Sequence, residues 1–554
     1  MVKNLIKTGK HLLTRRQNNI LSAASVLMIT VFFSRILGLL RDRFLAGAFF
    51  STDKTWQLDV YFAAFRLPDM IFQLLVVGAL SAAFIPVFTK YLYHNKHNKK
   101  QIWHLASAVI TLGLCLFIIL AAILFIFAKP LNQLIAPTFS FDQLKLMTSL
   151  TRLLILAQIG FLVSNFITGI LQSHRHFLVP ALSPIAYNLG IIFGIIFLSP
   201  SIGIYGPTFG VLLGSLLHLI VQLPLVSKIG FKYKPVIDIS HPGVRRIGRL
   251  MLPRTLALAV SQIELTVAVF IATSLAPGSL AIFYFAQHLN ALPVGLFGAT
   301  IGQAALPSLS QQHTAKSKDK FQQLFINSFN QILYLSLPAS MILLVLRIPI
   351  VRLAFGTPNF PWQATILTGK VVAFFAISVF AQALIQILVR AFYALSNTSI
   401  PFFIGTSAVL LNVALSFLFV YRLNLSILGL ALAISLASFF QASFLLIFLN
   451  KLIKGFDKRK LIFPFLKMSL ATILTGFALW FPLRLLDRYV LNTARNIDLL
   501  ILTFITSIIG IFVYLSLSKL LRIKEFNSFL NLLRRITNFQ KILSQAETTL
   551  HEAQ

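Results

Sequence analysis

Fourteen apolar windows, each about as long as a bilayer is thick, run through this chain of 554 residues. A helix needs about 20 apolar residues to cross the hydrocarbon core of a membrane. A transmembrane barrel would instead show alternating strands of about ten residues. The sequence therefore predicts an all-α polytopic membrane protein with about 14 transmembrane helices. The windows lie at 20–40, 57–88, 102–128, 146–172, 178–199, 203–227, 248–275, 280–309, 326–354, 367–395, 400–421, 425–450, 463–486 and 497–520.

Composition excludes several other classes of protein. Hydrophobic residues make up 57% of the chain and charged residues 11%, whereas soluble domains have about 25% charged residues. The net charge is +34, but the Lys and Arg residues fall in short loops between apolar windows. That pattern indicates membrane topology and attraction to anionic membrane lipids, and it disfavours nucleic-acid binding. The single cysteine, Cys115, lies in an apolar run, so we expect no disulfide, metal site or cofactor.

The basic loops predict the orientation of the chain. The arm at 1–19, the second-to-third, eighth-to-ninth and twelfth-to-thirteenth loops, and the linker at 228–247 are basic and fall on one side. Both termini are therefore expected in the cytoplasm. Exceptions on the opposite side are Arg347, Arg352, Arg484, Arg488 and Arg495. The tail at 521–554 mixes basic and apolar residues and reads as an amphipathic helix on the cytoplasmic surface.

A weak internal repeat divides the windows into two sets of six. Pro86 and Pro307 are 221 residues apart, as are Pro180 and Pro401, and 204–215 resembles 427–438 at an offset of 223. Chance similarity between apolar sequences is the alternative. An even number of helices per copy predicts a parallel pseudo-two-fold repeat around a central cavity that works by alternating access. The predicted lobes are 20–227 and 248–450, with two extra C-terminal helices at 463–520.

Charged residues within the first window are the strongest sign of function. Each costs about 2.5–3.5 kcal/mol on membrane-insertion scales, so we expect it to face a cavity or a partner. Ser34 and Arg41 are seven residues apart, as are Arg35 and Asp42, which places two stripes on one side of the helix. Gly38 lies between them and permits close approach of a helix or ligand. The alternative for Arg41 and Asp42 is that they mark the end of the helix at the membrane interface.

The second window has a similar polar face. Asp59, Arg66 and Gln73 recur at intervals of seven residues, and Arg66 lies three residues before Asp69, with which it is positioned to pair. Pro68 between them is expected to kink the helix.

The second lobe contributes four candidates, Arg254, Glu264, His288 and Arg390. Glu264 reads either as an ion-coupling carboxylate or as the partner of Arg254. His288 reads as a packing residue or a proton switch, and Arg390 as a cavity residue or a residue that snorkels to the interface. Together the candidates lean cationic, which suits an anion with several oxygens, such as a pyrophosphate.

Other residues have a structural interpretation or none. Pro184 and Asn188, in the fifth window, are assigned to a helix kink and to helix packing. No nucleotide-binding, metalloprotease or Ser/His/Asp motif is present, so the sequence does not predict an enzyme. Without a nucleotide motif, the energy for transport is expected to come from an ion gradient or the membrane potential.

The motifs FSRILGLLRD (33–42), LDVYFAAFRLPD (58–69) and FYALSNTSIP (392–401) make the chain resemble the MurJ (MviN) lipid II flippases of the MOP exporter superfamily. The resemblance covers about 20–520. It implies a monomeric carrier in the bacterial cytoplasmic membrane that moves undecaprenyl-pyrophosphate-linked peptidoglycan precursor from the inner to the outer leaflet. It also implies binding roles for Ser34, Arg35, Arg41, Asp42 and Asp59, and a groove for the lipid tail near 463–520.

The chain departs from that family at some positions. Gln73 stands where better-known members have an arginine, and Gln287 and His288 stand where they have an Asp-Arg pair. Either Arg66, Arg254 and Arg390 supply the missing charge, or the cargo is another polyprenyl-pyrophosphate oligosaccharide. A membrane scaffold without transport activity also stays open, whereas a basic cavity argues against an exporter of cationic drugs.

Overall fold

The computed structural model describes residues 20–51, 53–77, 83–94, 99–315, 317–453, 455–493, 495–527 and 529–530. At positions 20–29, 77, 94, 99, 253, 254 and 257 the structure describes the backbone but not the side chains. The predicted arm at 1–19 and most of the predicted tail at 521–554 therefore lie outside the described residues.

Helices account for nearly all of the described chain, and no strand occurs among the described residues. The first eleven helices are α1 (Ile20–Phe49), α2 (Thr55–Ala64), α3 (Arg66–Phe72), α4 (Ile85–His94), α5 (Lys99–Ile126), α6 (Ala128–Ile135), α7 (Phe141–Ser173), α8 (Leu178–Phe193), α9 (Ser199–Ile202), α10 (Tyr205–Ile220) and α11 (Leu223–Lys228). The others are α12 (Pro242–Thr273), α13 (Ser279–Pro293), α14 (Thr300–Thr314), α15 (Lys318–Val345), α16 (Arg347–Phe355), α17 (Trp362–Ala394), α18 (Ser399–Phe417), α19 (Ser426–Leu452), α20 (Arg459–Tyr489) and α21 (Asn496–Leu520). This confirms the all-α prediction.

Eleven helical segments of the described chain are long and apolar enough to cross a membrane. They coincide with eleven of the fourteen predicted windows, all except the first, second and seventh. The first window falls on α1, and the seventh on α12, whose apolar part is Leu258–Thr273. The second window is interrupted between α2 and α4. The chain is therefore a multi-pass membrane protein, and the count of fourteen stays a prediction.

Helix lengths repeat along the chain at the spacing found in the sequence. Helices α5 and α15 both have 28 residues and begin at Lys99 and Lys318, which gives 318 − 99 = 219. Helices α7 and α17 both have 33 residues, and 362 − 141 = 221. Pro180 and Pro401 are each the third residue of their helix, α8 and α18. This agreement supports the predicted repeat.

Short π-helical turns interrupt the helices at matching places. Gln73–Val77 follows α3, and Val294–Ala299 follows α13, so that 294 − 73 = 221. Gly194–Leu198 follows α8, and Leu418–Arg422 follows α18, so that 418 − 194 = 224. A π-turn adds a residue to a helix and is found mostly at functional sites. Both halves of the repeat therefore contain the same irregularities.

The described chain forms two compact units. The first comprises the described residues of 1–285 with 354–368 and 409–430, and the second comprises 286–353, 369–408 and the described residues from 431 onward. These units are defined by contacts, and the predicted lobes at 20–227 and 248–450 stay a prediction.

Close packing of α8 on α10 organises one part of the first unit. A Cβ atom added to Gly190 would lie 2.5 Å from the Cα of Gly214, which is backbone and cannot move aside. The two helix backbones therefore touch, as in membrane helix pairs with small residues at the interface.

The predicted linker at 228–247 contains a segment without regular secondary structure, 231–238, that contacts α5. Its backbone N–H groups find acceptors on side chains of that helix, which satisfies donors that no secondary structure pairs. The contacts are Lys234 N with Ser107 Oγ at 3.3 Å, Val236 N with Thr111 Oγ1 at 3.3 Å, and Asp238 Oδ2 with His104 Nε2 at 2.9 Å.

The second unit has an aromatic and aliphatic core between α15, α17 and α20. Phe325 stacks on Phe456 with ring centroids 5.0 Å apart. Tyr514 donates its hydroxyl to the carbonyl of Tyr334 at 3.0 Å, which ties α21 to α15.

Candidate functional site

Arg41 is the centre of a polar cluster between α1 and α8 in the first unit. Its Nε and Nη2 atoms donate to Asp42 Oδ1 at 3.0 and 2.8 Å, and its Nη1 donates to Asn188 Oδ1 at 3.2 Å. The Asp42 side chain is only 1% exposed, and that of Arg41 is 18% exposed. Arg41 and Asp42 thus form a largely buried ion pair within the helix, so they do more than mark the end of α1.

Asn188 connects this cluster to Ser34. Its Nδ2 lies 3.3 Å from the Ser34 carbonyl oxygen and 3.1 Å from that of Pro184. Ser34 and Arg41 are therefore on one side of α1, as their spacing predicted. Sequence reasoning assigned Asn188 to packing and missed its contact with Arg41. The only signal was its position four residues after Pro184, where its amide satisfies a carbonyl within the helix.

Arg35 lies apart from this cluster. It is exposed, and so are the neighbouring side chains of Phe33 and Ile36. No atom lies within 4 Å of a Cβ added to Gly38, so this part of α1 is open within the described structure.

Arg66 is buried against α12. Its Nη2 donates to Gln262 Oε1 at 2.6 Å and to the Gln262 carbonyl at 3.0 Å, and its Nε donates to Thr266 Oγ1 at 2.9 Å. Asp69 instead accepts from Gln158 Nε2 on α7 at 2.8 Å. No direct hydrogen bond or ion pair joins Arg66 to Asp69 in the described structure, but the two charges lie close enough to attract each other. The two side chains bind helices on different sides of α3, which follows a break at Phe65 rather than at Pro68.

Asp59 caps the start of α13. Its carboxylate accepts from the backbone N–H groups of Gly278 at 2.5 Å and Ala281 at 2.9 Å. The first N–H groups of a helix have no partner within the helix and carry a partial positive charge, so a buried carboxylate is stabilised there. Gly278 has φ +90°, which favours glycine at the residue before the helix.

The remaining candidates are dispersed. Glu264 Oε1 accepts from Asn412 Nδ2 at 2.6 Å, so Asn412 is a partner that neither sequence interpretation named. The Arg254 side chain lies outside the description, and Gln73 is half-buried at the start of the first π-turn. In the second unit His288 is half-buried, and Arg390 donates to the Gln386 carbonyl at 2.8 Å.

A buried chain of neutral polar groups in the second unit was not predicted. Asn290 Nδ2 donates to Gln382 Oε1 at 3.1 Å, and Gln382 Nε2 donates to Ser378 Oγ at 2.9 Å. Ser378 and Ser435 join their hydroxyls at 2.9 Å. No charge or spacing pattern distinguishes these residues from the many other amides and hydroxyls of the apolar windows.

The first unit therefore presents two guanidinium groups with different surroundings. Arg41 is neutralised by Asp42, whereas Arg66 binds the neutral oxygens of Gln262 and Thr266 and keeps its positive charge. Both groups are suited to an oxyanion, because guanidinium binds such oxygens in pairs. Among the described residues, no group of three or more His, Cys, Asp or Glu side chains is placed to hold a metal ion.

Comparison with known proteins gives consistent matches. The family model for lipid II flippase MurJ matches residues 46–499. A probable lipid II flippase MurJ from Thermotoga maritima is 30% identical over 506 residues, which is 90% of this chain and 96% of the relative.

Solved structures agree. One of lipid II flippase MurJ in an inward closed conformation has a TM-score of 0.74 at 26% identity, over 89% of this chain and 98% of its own. A MATE family multidrug resistance transporter of the MOP superfamily, in an inward-facing conformation, has a TM-score of 0.63 at 14% identity. That match covers 78% of this chain and 98% of its own and concerns the fold alone.

Proposed function

This chain belongs to the lipid II flippase MurJ family, and from that membership we propose that it moves lipid II across a membrane. The observation that carries the proposal is the family match over residues 46–499, which includes Asp59, Arg66 and most of the helices. The chain then acts as a transporter rather than as an enzyme.

Arg41 is the residue best placed to bind the pyrophosphate of such a cargo. Three of its guanidinium contacts are to the side-chain oxygens of Asp42 and Asn188, and phosphate oxygens are acceptors of the same geometry. Binding would therefore replace the oxygens of Asp42 and Asn188 by phosphate oxygens, so that each N–H donor of the guanidinium keeps an acceptor. Asn188 acts as a positioning residue, because it holds Arg41 and Ser34 together in the absence of cargo.

Arg35 and Arg66 are given different roles in this proposal. Arg35 is exposed and provides a first electrostatic contact for an anionic headgroup. Arg66 is buried and contacts Gln262 and Thr266, so it fixes α3 to α12 while adding positive charge to the first unit. Asp59 supports the site by holding the start of α13.

The finer parts of the proposal concern topology and energy. We place the chain in the bacterial cytoplasmic membrane with both termini in the cytoplasm, where the basic loops meet anionic lipids. It works as a monomer by alternating access, and an ion gradient or the membrane potential drives cargo from the inner to the outer leaflet.

Complementation tests the proposal. The chain is expressed in a bacterium whose own lipid II flippase is switched off, and growth and surface-accessible lipid II are measured. We expect rescue by the parent chain and loss of rescue by Arg35→Ala and Arg41→Ala. Arg245→Ala is the matched control, because it removes an exposed arginine from the first turn of α12, and it should rescue like the parent.

Failure of a well-expressed parent chain would contradict lipid II as the cargo. The same strains would then be assayed for flipping of another polyprenyl-pyrophosphate oligosaccharide, the cargo suggested by Gln73 and His288 at family arginine positions. Rescue by both alanine variants at parental expression would remove the two arginines from the mechanism.

A further inference from the structure

We propose that a groove where α5, α6 and α7 meet binds the headgroup of an anionic phospholipid. The groove has a volume of about 650 Å³ and belongs entirely to the first unit. Three cationic side chains line it, Lys129, Lys145 and Arg152, together with the rings of Phe125 and Phe141. None of these residues belongs to the cargo site described above.

The cations of the groove are held by aromatic and backbone groups rather than by carboxylates. Arg152 donates its Nε to the Phe125 carbonyl at 3.1 Å, and its guanidinium lies 4.9 Å from the centre of the Phe125 ring. The ammonium of Lys129 lies 5.4 Å from the centre of the Phe141 ring. Among the described residues, no carboxylate forms an ion pair with any of the three cations.

The positive charge of the groove is therefore not cancelled locally. Asp142 is the acidic residue of the first turn of α7, three positions before Lys145, and leaves a net charge of about +2 around the groove. Partial charges on the faces of the two rings attract the cations but do not neutralise them. A phosphate group fits this arrangement because Arg and Lys can both bind its oxygens.

The surface beside the groove is apolar and exposed. Ile123 and Ile126 at the end of α5, and Leu156 on α7, are 49%, 67% and 49% exposed. Such side chains on membrane-spanning helices face hydrocarbon, which gives acyl chains a surface directly next to the three cations. A free phosphate ion would use the cations alone, so the combination favours a lipid.

The length of α7 places the cations at the level of lipid headgroups. Its 33 residues extend about 50 Å, whereas the hydrocarbon core of a bilayer is about 30 Å thick. The first turns of α7, which contain Lys145, therefore reach the level of the headgroups, whereas the adjoining end of α5 stays within the hydrocarbon.

Membrane topology does not account for these cations. Lys129 and Lys145 lie between the third and fourth predicted windows, and Arg152 lies two turns into the fourth, at the end of the helices opposite the basic loops that predict the cytoplasmic side. The positive-inside pattern favours few cations there. Binding of a lipid phosphate gives them a role that the topology does not.

Native mass spectrometry of the full chain in detergent tests the proposal by titration with phosphatidylglycerol. We expect the variant Lys129→Gln/Lys145→Gln/Arg152→Gln to bind about tenfold more weakly than the parent, since each basic residue contributes to attraction of anionic lipid. The charge-retaining variant Lys129→Arg/Lys145→Arg/Arg152→Lys should bind like the parent. It separates loss of charge from a failure to fold.

Two comparisons make the result specific. The matched control Lys228→Gln/Lys232→Gln/Lys234→Gln removes three exposed lysines from the linker region, which contribute only general attraction to anionic lipid, and should weaken binding much less than the groove variant does. Zwitterionic phosphatidylcholine should bind more weakly than phosphatidylglycerol. Equal loss in the control, equal affinity for the two lipids, or an unchanged groove variant would overturn the proposal.

A competition experiment with soluble phosphates distinguishes a lipid site from a site for free phosphate. Inorganic phosphate and glycerol 3-phosphate at millimolar concentrations should not displace phosphatidylglycerol from the parent chain. Displacement by either anion would show a soluble-phosphate site and would overturn the lipid assignment. The lipid proposal does not rest on the proposed transport activity, so rescue in complementation and lipid binding can fail separately.

Discussion

The two compact units differ in the kind of polar side chain that they bury. The first unit buries the charged residues Asp42, Asp59 and Arg66, each no more than 5% exposed. The buried polar side chains described in the second unit are all neutral amides and hydroxyls, such as Asn290, Ser378 and Ser435. Burial of a charge is costly unless it is paired or has a function. Under the proposed function, this difference assigns recognition of a charged cargo to the first unit.

The neutral groups of the second unit have a different physical role. Hydrogen bonds between amides and hydroxyls hold membrane helices together with about 0.6–2 kcal/mol each, without the desolvation penalty of a charge. The chain Asn290, Gln382, Ser378 and Ser435 is such a set of bonds. The two units therefore differ in their buried polar groups, with charged side chains in the first and neutral hydrogen-bonded side chains in the second.

The largest effect is expected for Arg41→Ala. The substitution removes the guanidinium that pairs with the buried Asp42 carboxylate, which should lower the free energy of unfolding by about 3–5 kcal/mol and abolish growth rescue. The double variant Arg41→Ala/Asp42→Asn should recover much of the apparent unfolding temperature in detergent but none of the rescue. Recovery of growth by the double variant would mean that Arg41 has only a structural role.

The next effect concerns the close helix packing of the first unit. Gly190→Ala adds a Cβ that would meet backbone at 2.5 Å, so we expect a loss of about 1–3 kcal/mol, measured as a lower unfolding temperature. The matched control is Gly405→Ala on α18, whose added Cβ would lie 3.6 Å from Gln441 Nε2. Equal destabilisation by both variants would contradict a packing difference between α8 and α18.

A smaller effect is expected for Gln382→Leu in the second unit. It removes the bonds to Asn290 and Ser378, so the unfolding free energy should fall by about 1 kcal/mol while growth rescue persists. Loss of rescue at parental expression would show that the neutral chain takes part in handling cargo. The comparison between the two units would then have to be abandoned.

The smallest effect concerns the linker segment along α5. The hydrogen bond with His104 holds the pKa of Asp238 below its usual range. A carboxylate with a depressed pKa stabilises the folded state above its ordinary pKa of about 3.9, and this contribution is lost as the pH falls through the folded value. Asp238→Asn should therefore lower the unfolding temperature at pH 7 by about 1 °C or less, because the Asp238 side chain is 30% exposed and solvent screens its interaction with His104.

Unfolding temperatures measured across a pH series provide the check. The difference between the parent and Asp238→Asn should shrink as the pH falls below about 3.9 and disappear only below the lower folded-state pKa, where Asp238 is protonated in both states. A difference that grows as the pH falls would mean that another group sets the stability of the segment.

The helical framework could be predicted from the sequence because the membrane imposes a length and a composition on each span. Matching prolines at 180 and 401 marked the repeat, since proline is tolerated in the first turn of a helix and therefore fixes where the helix starts. The second window resisted prediction, because its break at Phe65 and its π-turn have no strong signature in the sequence.

The partners of the candidate residues were harder to predict than the residues themselves. Asp59 caps a helix that begins 220 residues later (279 − 59), and Arg66 binds Gln262 on α12. Sequence reasoning looked for neighbours within one helix and so proposed Asp69 for Arg66. Contacts between distant helices depend on how the helices pack, which spacing within one window does not contain.

The π-turns described above also bear on the history of the chain. Each π-turn adds one residue to its helix. Every side chain after it is therefore rotated about the helix axis by about a quarter-turn. Two independent insertions would rarely arise at 73–77 and 294–299, and again at 194–198 and 418–422, at the nearly equal spacings of 221 and 224 residues. Inheritance from a single ancestral half, which already contained both insertions before the gene was duplicated, accounts for all four.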